Sequence, residues 1–276
     1  MSCRATVVVL NWNGWQDTVA CVKSLRLLIG VDYHILVVDN GSTDGSVTHI
    51  EAALPGVEVL QTGANLGFGG GCNAGIRHAL NARSEYVWLV NSDATVDPGA
   101  LAAMVRLADQ NPTIGAVGSV LYEADTTDQI QLWGGGRINL WLGRSNHCVS
   151  AGSVDFVSGA SMLLRSTALE DVGLFDDATY FMYWEDTDLC FRLRRAGWLL
   201  AVAAESRLWH KESASLGFGN PVLDTYATRS CVRFLRRHAP MPRLSVALML
   251  IRMLAKRVLV GRPDRLRAVW QAYRSA

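Results

Sequence analysis

Apolar residues recur along the chain in two alternating patterns. Residues 6–10, 34–38, 57–60, 86–90 and 114–121 are short, mostly apolar runs with the length of buried strands. Between them the apolar positions fall at helical spacing, as with Val19, Val22 and Leu25 within 15–28, and helices are also expected over 73–82 and 100–109. This rhythm predicts an α/β fold, a mostly parallel central sheet flanked by helices. The glycine-rich stretch 65–71 reads as a loop, and 122–153, with Trp133-Gly134-Gly135-Gly136 and Trp141, as an irregular or hairpin insertion. Apolar character resumes over 154–165 around Ser158-Gly159-Ala160, where Ser166 is expected to cap a short helix to Val172.

Residues 185–196 form the best-bounded helix, with Arg in its last turn and Gly197 as its stop; 199–203 reads as a last strand. On that helix Asp186, Leu189, Cys190 and Leu193 share one side, and Glu185, Asp188, Arg192 and Arg195 the other. The pattern places Asp188 on the surface in an ion pair with Arg192. It turns Asp186 inward, where a carboxylate needs a task.

Two further acids close strands. The run at 34–38 ends on Asp39-Asn40-Gly41-Ser42, and the run at 86–90 on Asn91-Ser92-Asp93 before a helix announced by Asp97 and Pro98. Either alone is an ordinary turn or cap. Together they reach the carboxyl edge of a parallel sheet, where ligands bind and where a carboxylate can hold a cation bridging phosphate oxygens.

Half of the 276 residues are hydrophobic, enough for a sizeable core. Six scattered cysteines without CxxC spacing argue against a zinc cage or disulfide framework and fit a reducing cytoplasm, and no signal peptide is visible. The net charge of +1 hides an asymmetry: residues 229–276 carry twelve Arg or Lys against Asp264 alone. This region is expected either to meet an anionic surface or to pack as a helical appendage on the rest of the chain or on a second subunit. The stretch 244–260 is broken by Arg252, Lys256 and Arg257, so it reads as an in-plane amphipathic helix rather than a membrane span. Its aliphatic interleaving favours lipid over nucleic acid.

Five ordered motifs then carry a resemblance. They are Val7-Val8-Val9-Leu10-Asn11-Trp12-Asn13-Gly14, Val37-Val38-Asp39-Asn40-Gly41-Ser42-Thr43-Asp44-Gly45-Ser46, Asn65-Leu66-Gly67-Phe68-Gly69-Gly70-Gly71-Cys72-Asn73, Leu89-Val90-Asn91-Ser92-Asp93-Ala94 and Tyr183-Trp184-Glu185-Asp186-Thr187-Asp188-Leu189-Cys190, with His210 and Ser213 following. Over about residues 6–240 the chain resembles the family 2 inverting glycosyltransferases of the GT-A fold, most closely their rhamnosyltransferase-like branch.

The resemblance implies a catalytic domain over 1–220, with a nucleotide-sugar half to about 120 and an acceptor half beyond it, followed by a basic amphipathic helical region over 221–276. It implies that Leu10 and Asn11, with Asp39, hold the pyrimidine base, and that Asn65, Gly67 and Gly71 line the nucleotide pocket. Asn13, Asn73, Asn91 and Ser92 fall in the same nucleotide-sugar site. The resemblance further implies that Asp93 is the last acid of a DxD-type element whose first acid is here Asn91, that His210 is the second protein ligand of Mg²⁺ or Mn²⁺, that Asp186 is the general base, and that Ser158, Gly159, Ala160, Trp184 and Glu185 shape the acceptor site. The implied substrates are a dTDP- or UDP-sugar, most often dTDP-L-rhamnose, and a hydroxyl acceptor such as a lipid-linked glycan. The implied place is the cytoplasm, at the inner face of the plasma membrane.

Two other classes compete. A binding module would act through the basic tail, and a nucleotidyltransferase would need a basic, glycine-rich signature after the first strand, where Asn11-Trp12-Asn13-Gly14 stands instead. A dinucleotide fold is excluded because the glycine run follows the third strand and lacks GxGxxG spacing.

Overall fold

The structure is a computed structural model that describes residues 3–126, 129–211, 220–259 and 261–276. Ser213 of the late motif and Val260 of the predicted tail helix lie outside the described residues.

In chain order the elements are β1 (Ala5–Asn11), α1 (Trp15–Leu25), β2 (Tyr33–Asp39), α2 (Ser46–Ala53), β3 (Glu58–Gln61), α3 (Gly67–Asn81), β4 (Tyr86–Asn91), β5 (Ala94–Val96), α4 (Ala100–Gln110) and β6 (Ile114–Glu123). A hairpin region follows, with β7 (Ile130–Trp133), β8 (Gly135–Asn139), β9 (Arg144–His147) and β10 (Phe156–Val157). Then come β11 (Ser161–Arg165), α5 (Ser166–Val172), α6 (Glu185–Arg195), β12 (Leu199–His210), α7 (Pro221–His238), α8 (Pro242–Leu259) and α9 (Pro263–Arg274).

The main sheet has the order β3-β2-β1-β4-β11-β6-β12-β5, with β7 added beside β6. Strands β3, β2, β1 and β4 are parallel, β11 runs antiparallel between β4 and β6, and β12 is parallel to β6. The carboxyl ends of β1, β2, β4, β6 and β12 therefore share one edge. Strand periodicity sorts the core: Val7, Val9, Val37, Trp88 and Val90 pack on one face, and Val8, Leu36, Val38, Val87 and Leu89 on the other.

Three expectations about elements are corrected. The glycines at 67–71 open α3 instead of forming a loop, because the helix must lie close against its neighbours. A Cβ at Gly71 would sit 2.5 Å from Leu10 Cδ1, and Gly67, at φ +75°, would drive one into the Phe181 carbonyl. Strand β12 extends past Ala203 to His210 after a register shift between Ala203 and Arg207, so Trp209 and His210 belong to the sheet. Ser166 is the first residue of α5, not its cap, and its hydroxyl donates to the Ser84 carbonyl.

Helices α7, α8 and α9 pack together and onto α6. Phe234, Leu235, Met249, Leu250 and Val269 build a third core around Tyr180, against which Trp184 and Phe191 also pack. Trp184 meets Phe234 with ring centroids 4.7 Å apart, and Phe191 meets it edge-on at 5.0 Å. Part of the basic excess of the tail is spent internally: the Asp224 carboxylate holds both Arg257 and Arg265.

The same packing corrects Asp188. It pairs with Arg192 at 2.8 Å as its spacing predicts, but it is fully buried, not on the surface. Helix α7 covers it, supplying His238 Nε2 at 2.8 Å and Arg237 at 3.1 Å, and Tyr180 donates a longer bond at 3.3 Å. Burial opposes the charge, but the bonds from His238 and Arg192 prevail and hold the carboxyl down at about 2.

Candidate active site

The first cluster forms where β1 and β2 end side by side, with Asn11 opposite Asp39. Asn11 Nδ2 donates to Asp39 Oδ1 at 2.8 Å and to Ser42 Oγ at 3.1 Å, while its Oδ1 accepts from the Thr18 hydroxyl. The Ser42 amide donates to Asp39 Oδ2, and Asn13 Oδ1 accepts from the Thr43 amide. Asp39 is thus fixed by two donors, one on each oxygen, and a carboxylate retains acceptor sites beyond those. Asn40 ties this turn to α3: it bonds Asn65 Oδ1, the Gly67 carbonyl and the Leu66 amide. Leu10, Asn65, Gly67 and Gly71 therefore converge beside Asp39.

Asn73 does not join them. It is buried, and its amide is consumed by both backbone groups of Phe175. Its role is to hold the chain after α5, because a buried amide is committed to whichever partners satisfy it.

The second cluster is assembled by β5, a three-residue strand too short for its period to be read. It pairs with β12 so that His210 faces Ala94, which brings His210 Nε2 to 3.2 Å from Asp93 Oδ1 and 3.3 Å from Asn91 Nδ2. Gln131 sets the imidazole. Its Nε2 donates to Glu123 and to the His210 carbonyl, which leaves Oε1 to accept from His210 Nδ1 at 2.8 Å. With Nδ1 held by Gln131, the ring directs Nε2 at the Asp93 carboxylate. A carboxylate oxygen and an imidazole nitrogen suit Mg²⁺ or Mn²⁺ when phosphate oxygens and waters complete the shell. Ser92 lies in the turn between β4 and β5. Another three-residue group, His34, Glu58 and His78, gathers at the starts of β2 and β3, the opposite edge of the sheet.

The third cluster opens α6. Asp186 Oδ2 accepts the Gly159 amide at 3.1 Å, and Oδ1 accepts the amide and hydroxyl of Thr187. The next residue, Ala160, accepts the Asn91 amide through its carbonyl. Residues 159–160 thereby bridge the acid to the Asp93–His210 pair. Burial raises the Asp186 carboxyl above its ordinary value despite these three bonds. Glu185 is buried with its Oε2 unpartnered, and burial together with the Asp186 charge pushes it up to about 8. It sits inside, not on the outer face that helical spacing assigns it, because α3 covers it at Gly69, where an added Cβ would meet Glu185 Cβ at 3.7 Å; Tyr183 (φ +67°) and Trp184 (φ +71°) precede it in left-handed backbone. Left-handed backbone at two bulky residues costs on the order of 1–3 kcal/mol each, and such strain concentrates at functional sites.

A cavity of about 250 Å³ lies against this helix start, lined by Ser158, Trp184, Glu185 and Asp186, by Ser145 and His147 of β9, and by Ala227 of α7.

Residues 6–173 match the glycosyl transferase family 2 model. The chain belongs to glycosyltransferase family 2. It is 32% identical over 237 residues to the N-acetylglucosaminyl-diphospho-decaprenol L-rhamnosyltransferase of Mycobacterium tuberculosis, a match covering 76% of this chain and 77% of that one. In fold it resembles the mannosyltransferase PcManGT of Pyrobaculum calidifontis in complex with GDP-Man and Mn²⁺ (TM-score 0.63, 16% identity, 100% of this chain and 75% of that one). It also resembles GalNAc-T7 with UDP, GalNAc and Mn²⁺ (TM-score 0.67, 15% identity, 83% and 47%). The fold is GT-A.

Several residues of this family 2 enzyme's site carry no signal in its sequence. Gln131, Ser145 and His147 lie in a polar insertion without periodicity, and Ala227 is one small residue on a long helix. Thr18 and Ser42 read as ordinary helix and turn residues until their hydroxyls are found on Asn11.

Glu185 gives a prediction for this glycosyltransferase. A carboxyl raised from 4.5 to about 8 binds its proton in the folded state where the unfolded chain has lost it. Stability therefore falls as pH rises from the unfolded value through about 8. Glu185→Gln is expected to remove this dependence. Thermal unfolding at pH 6 and pH 9 should show the variant gaining on the native protein at the higher pH.

Proposed function

We propose that this chain transfers L-rhamnose from dTDP-L-rhamnose, with inversion, to a hydroxyl of a sugar carried on a lipid diphosphate. The observation that supports it best is the bridge of residues 159–160. Gly159 holds the Asp186 carboxylate and Ala160 holds the Asn91 amide, so the acid and the strand end that carries Asp93 are tied to neighbouring residues. The rhamnosyltransferase relative supports the choice of sugar and of a lipid-linked acceptor.

In this reading the acceptor hydroxyl oxygen bonds to the anomeric carbon as the bond to the diphosphate breaks from the opposite face. The proton passes to an Asp186 oxygen, and the electron pair leaves with the nucleoside diphosphate. Asp39, Asn11 and Leu10 hold the base, Asn13, Asn65, Gly67 and Gly71 line the nucleotide pocket, and Asn91 and Ser92 place Asp93. Asp93 and His210 would hold Mg²⁺ or Mn²⁺, which neutralises charge on the leaving diphosphate when bound. Ser158, Gly159, Ala160 and Trp184 shape the acceptor cavity. A protonated Glu185 at neutral pH spares Asp186 a second negative charge. The cytoplasmic face of a membrane is the place that fits both substrates.

The test is transfer from dTDP-L-rhamnose to a synthetic N-acetylglucosaminyl-diphospho-lipid, with EDTA as control. Product with Mn²⁺ and none with EDTA is expected, and turnover insensitive to EDTA would remove the metal. A sharper expectation concerns Gln131→Leu, which frees the imidazole. The Mn²⁺ concentration for half-maximal rate should rise roughly 10–100-fold, with the rate recovered at high Mn²⁺.

A further inference from the structure

Helix α8 has two faces of opposite fate. Ser245, Val246, Met249, Leu250 and Met253 are buried against α7 and α9. On the other side Leu244, Ala247, Leu248, Ile251, Ala255 and Val258 share one face by i, i+3, i+4 spacing. All of them are exposed except the half-buried Leu248. Ile251 and Val258 keep 65% and 63% of their surface open, and Leu259 keeps 87%. Isolated exposed aliphatics are ordinary, but a continuous stripe over four turns marks a contact surface.

Charge decides what it contacts. Helix α8 contains no acidic residue, and Arg243 and Lys256 are exposed on it. Two copies of the chain meeting on this stripe would bring like charges together with no acid on the helix to offset them. An anionic lipid surface satisfies both parts, the aliphatic stripe entering the acyl boundary and Arg243 at its border meeting headgroups, with Lys256 exposed at the end of the helix. No described helix is long and apolar enough to cross a membrane, which suits a helix that lies in the interface.

Helix α8 is also joined to the acceptor cavity. Arg252 donates from its Nε and Nη2 to the carbonyls of Leu142 and Gly143, in the turn between β8 and β9, and Met249 packs against Gly143. Strand β9 leads from that turn to Ser145 and His147 in the cavity wall. We propose that the outer face of α8 docks this enzyme on anionic lipid, and through the β8–β9 turn sets the acceptor cavity at the membrane surface. This rests on the reading of a lipid-linked acceptor.

The test is co-sedimentation of the full chain with vesicles of phosphatidylcholine alone or mixed with phosphatidylglycerol, free of donor and acceptor. The native chain should pellet with the mixed vesicles. Ile251→Glu with Val258→Glu should weaken partitioning by roughly tenfold or more, with thermal unfolding unchanged because both sites are exposed. Arg243→Glu with Lys256→Glu should abolish the preference for phosphatidylglycerol while leaving the stripe intact. Equal pelleting of the native chain and the Ile251/Val258 variant would overturn the proposal. So would a native dimer that this variant converts to monomer without any vesicle binding. Because these vesicles carry no substrate, failure of transfer to a lipid-linked acceptor would leave the sedimentation result standing on its own.

Discussion

Asp186→Asn is expected to lower kcat by about 10²–10⁴-fold, the usual contribution of a positioned base, while affinity for the nucleoside diphosphate is unchanged. The substitution keeps the side-chain size and the Thr187 contacts, replaces the oxygen that accepts the Gly159 amide with an NH2 that cannot accept, and removes the charge that would take the proton in the proposed reaction. Isothermal titration with dTDP and Mn²⁺, beside steady-state transfer, separates the two effects. The acid limb of the native pH profile should lie above the ordinary carboxylate range, because burial raises the Asp186 carboxyl, and it should vanish in the variant. A variant that turns over normally would move the base elsewhere. Glu185 is a poor substitute, since it is protonated up to about pH 8.

Asp188→Ala should cost about 3–5 kcal/mol of stability at neutral pH, the range for breaking a buried ion pair by removing one partner. The loss leaves the buried His238 without its acceptor and Arg192 with only the carbonyls of residues 172–174, and it cuts the tie between α6 and α7. The sign of the pH dependence follows from a folded value of about 2, below the ordinary 3.8. The contribution is complete above the unfolded value and fades as pH falls through about 2. Urea unfolding of native and variant proteins at pH 7 and pH 3 should therefore show the gap narrowing at the lower pH. An equal gap at both would mean that the charge contributes nothing and that only packing was lost.

The sheet was readable from the sequence because parallel strands buried on both faces are nearly continuous apolar runs with helices between them. The helix carrying Asp186 was readable because its charges and its glycine stop are local. What escaped depends on pairing at a distance. Strand β5 is three residues long and exists because β12 lies beside it. The second half of β12 follows a register shift that no local pattern announces. Helical spacing assigned Asp188 to the solvent face, and this was wrong because α7, fifty residues on, turns that face into an interior. Asp93 and His210 could be named from motifs. The glutamine that fixes the imidazole tautomer could not, since it stands in a stretch whose composition says only turn and hairpin.

The bond from His238 to Asp188 also orders events in time. During synthesis α6 leaves the ribosome before α7, so at first Asp188 has only Arg192 and Tyr180 to satisfy it. Until residues 237 and 238 arrive, the helix that opens on Asp186 has a carboxylate without its full set of donors and lacks Phe234 against Trp184. A nascent chain therefore holds the start of this helix unfinished until α7 docks. A nick between β12 and α7 that lets the final helices dissociate would return a mature molecule to that state.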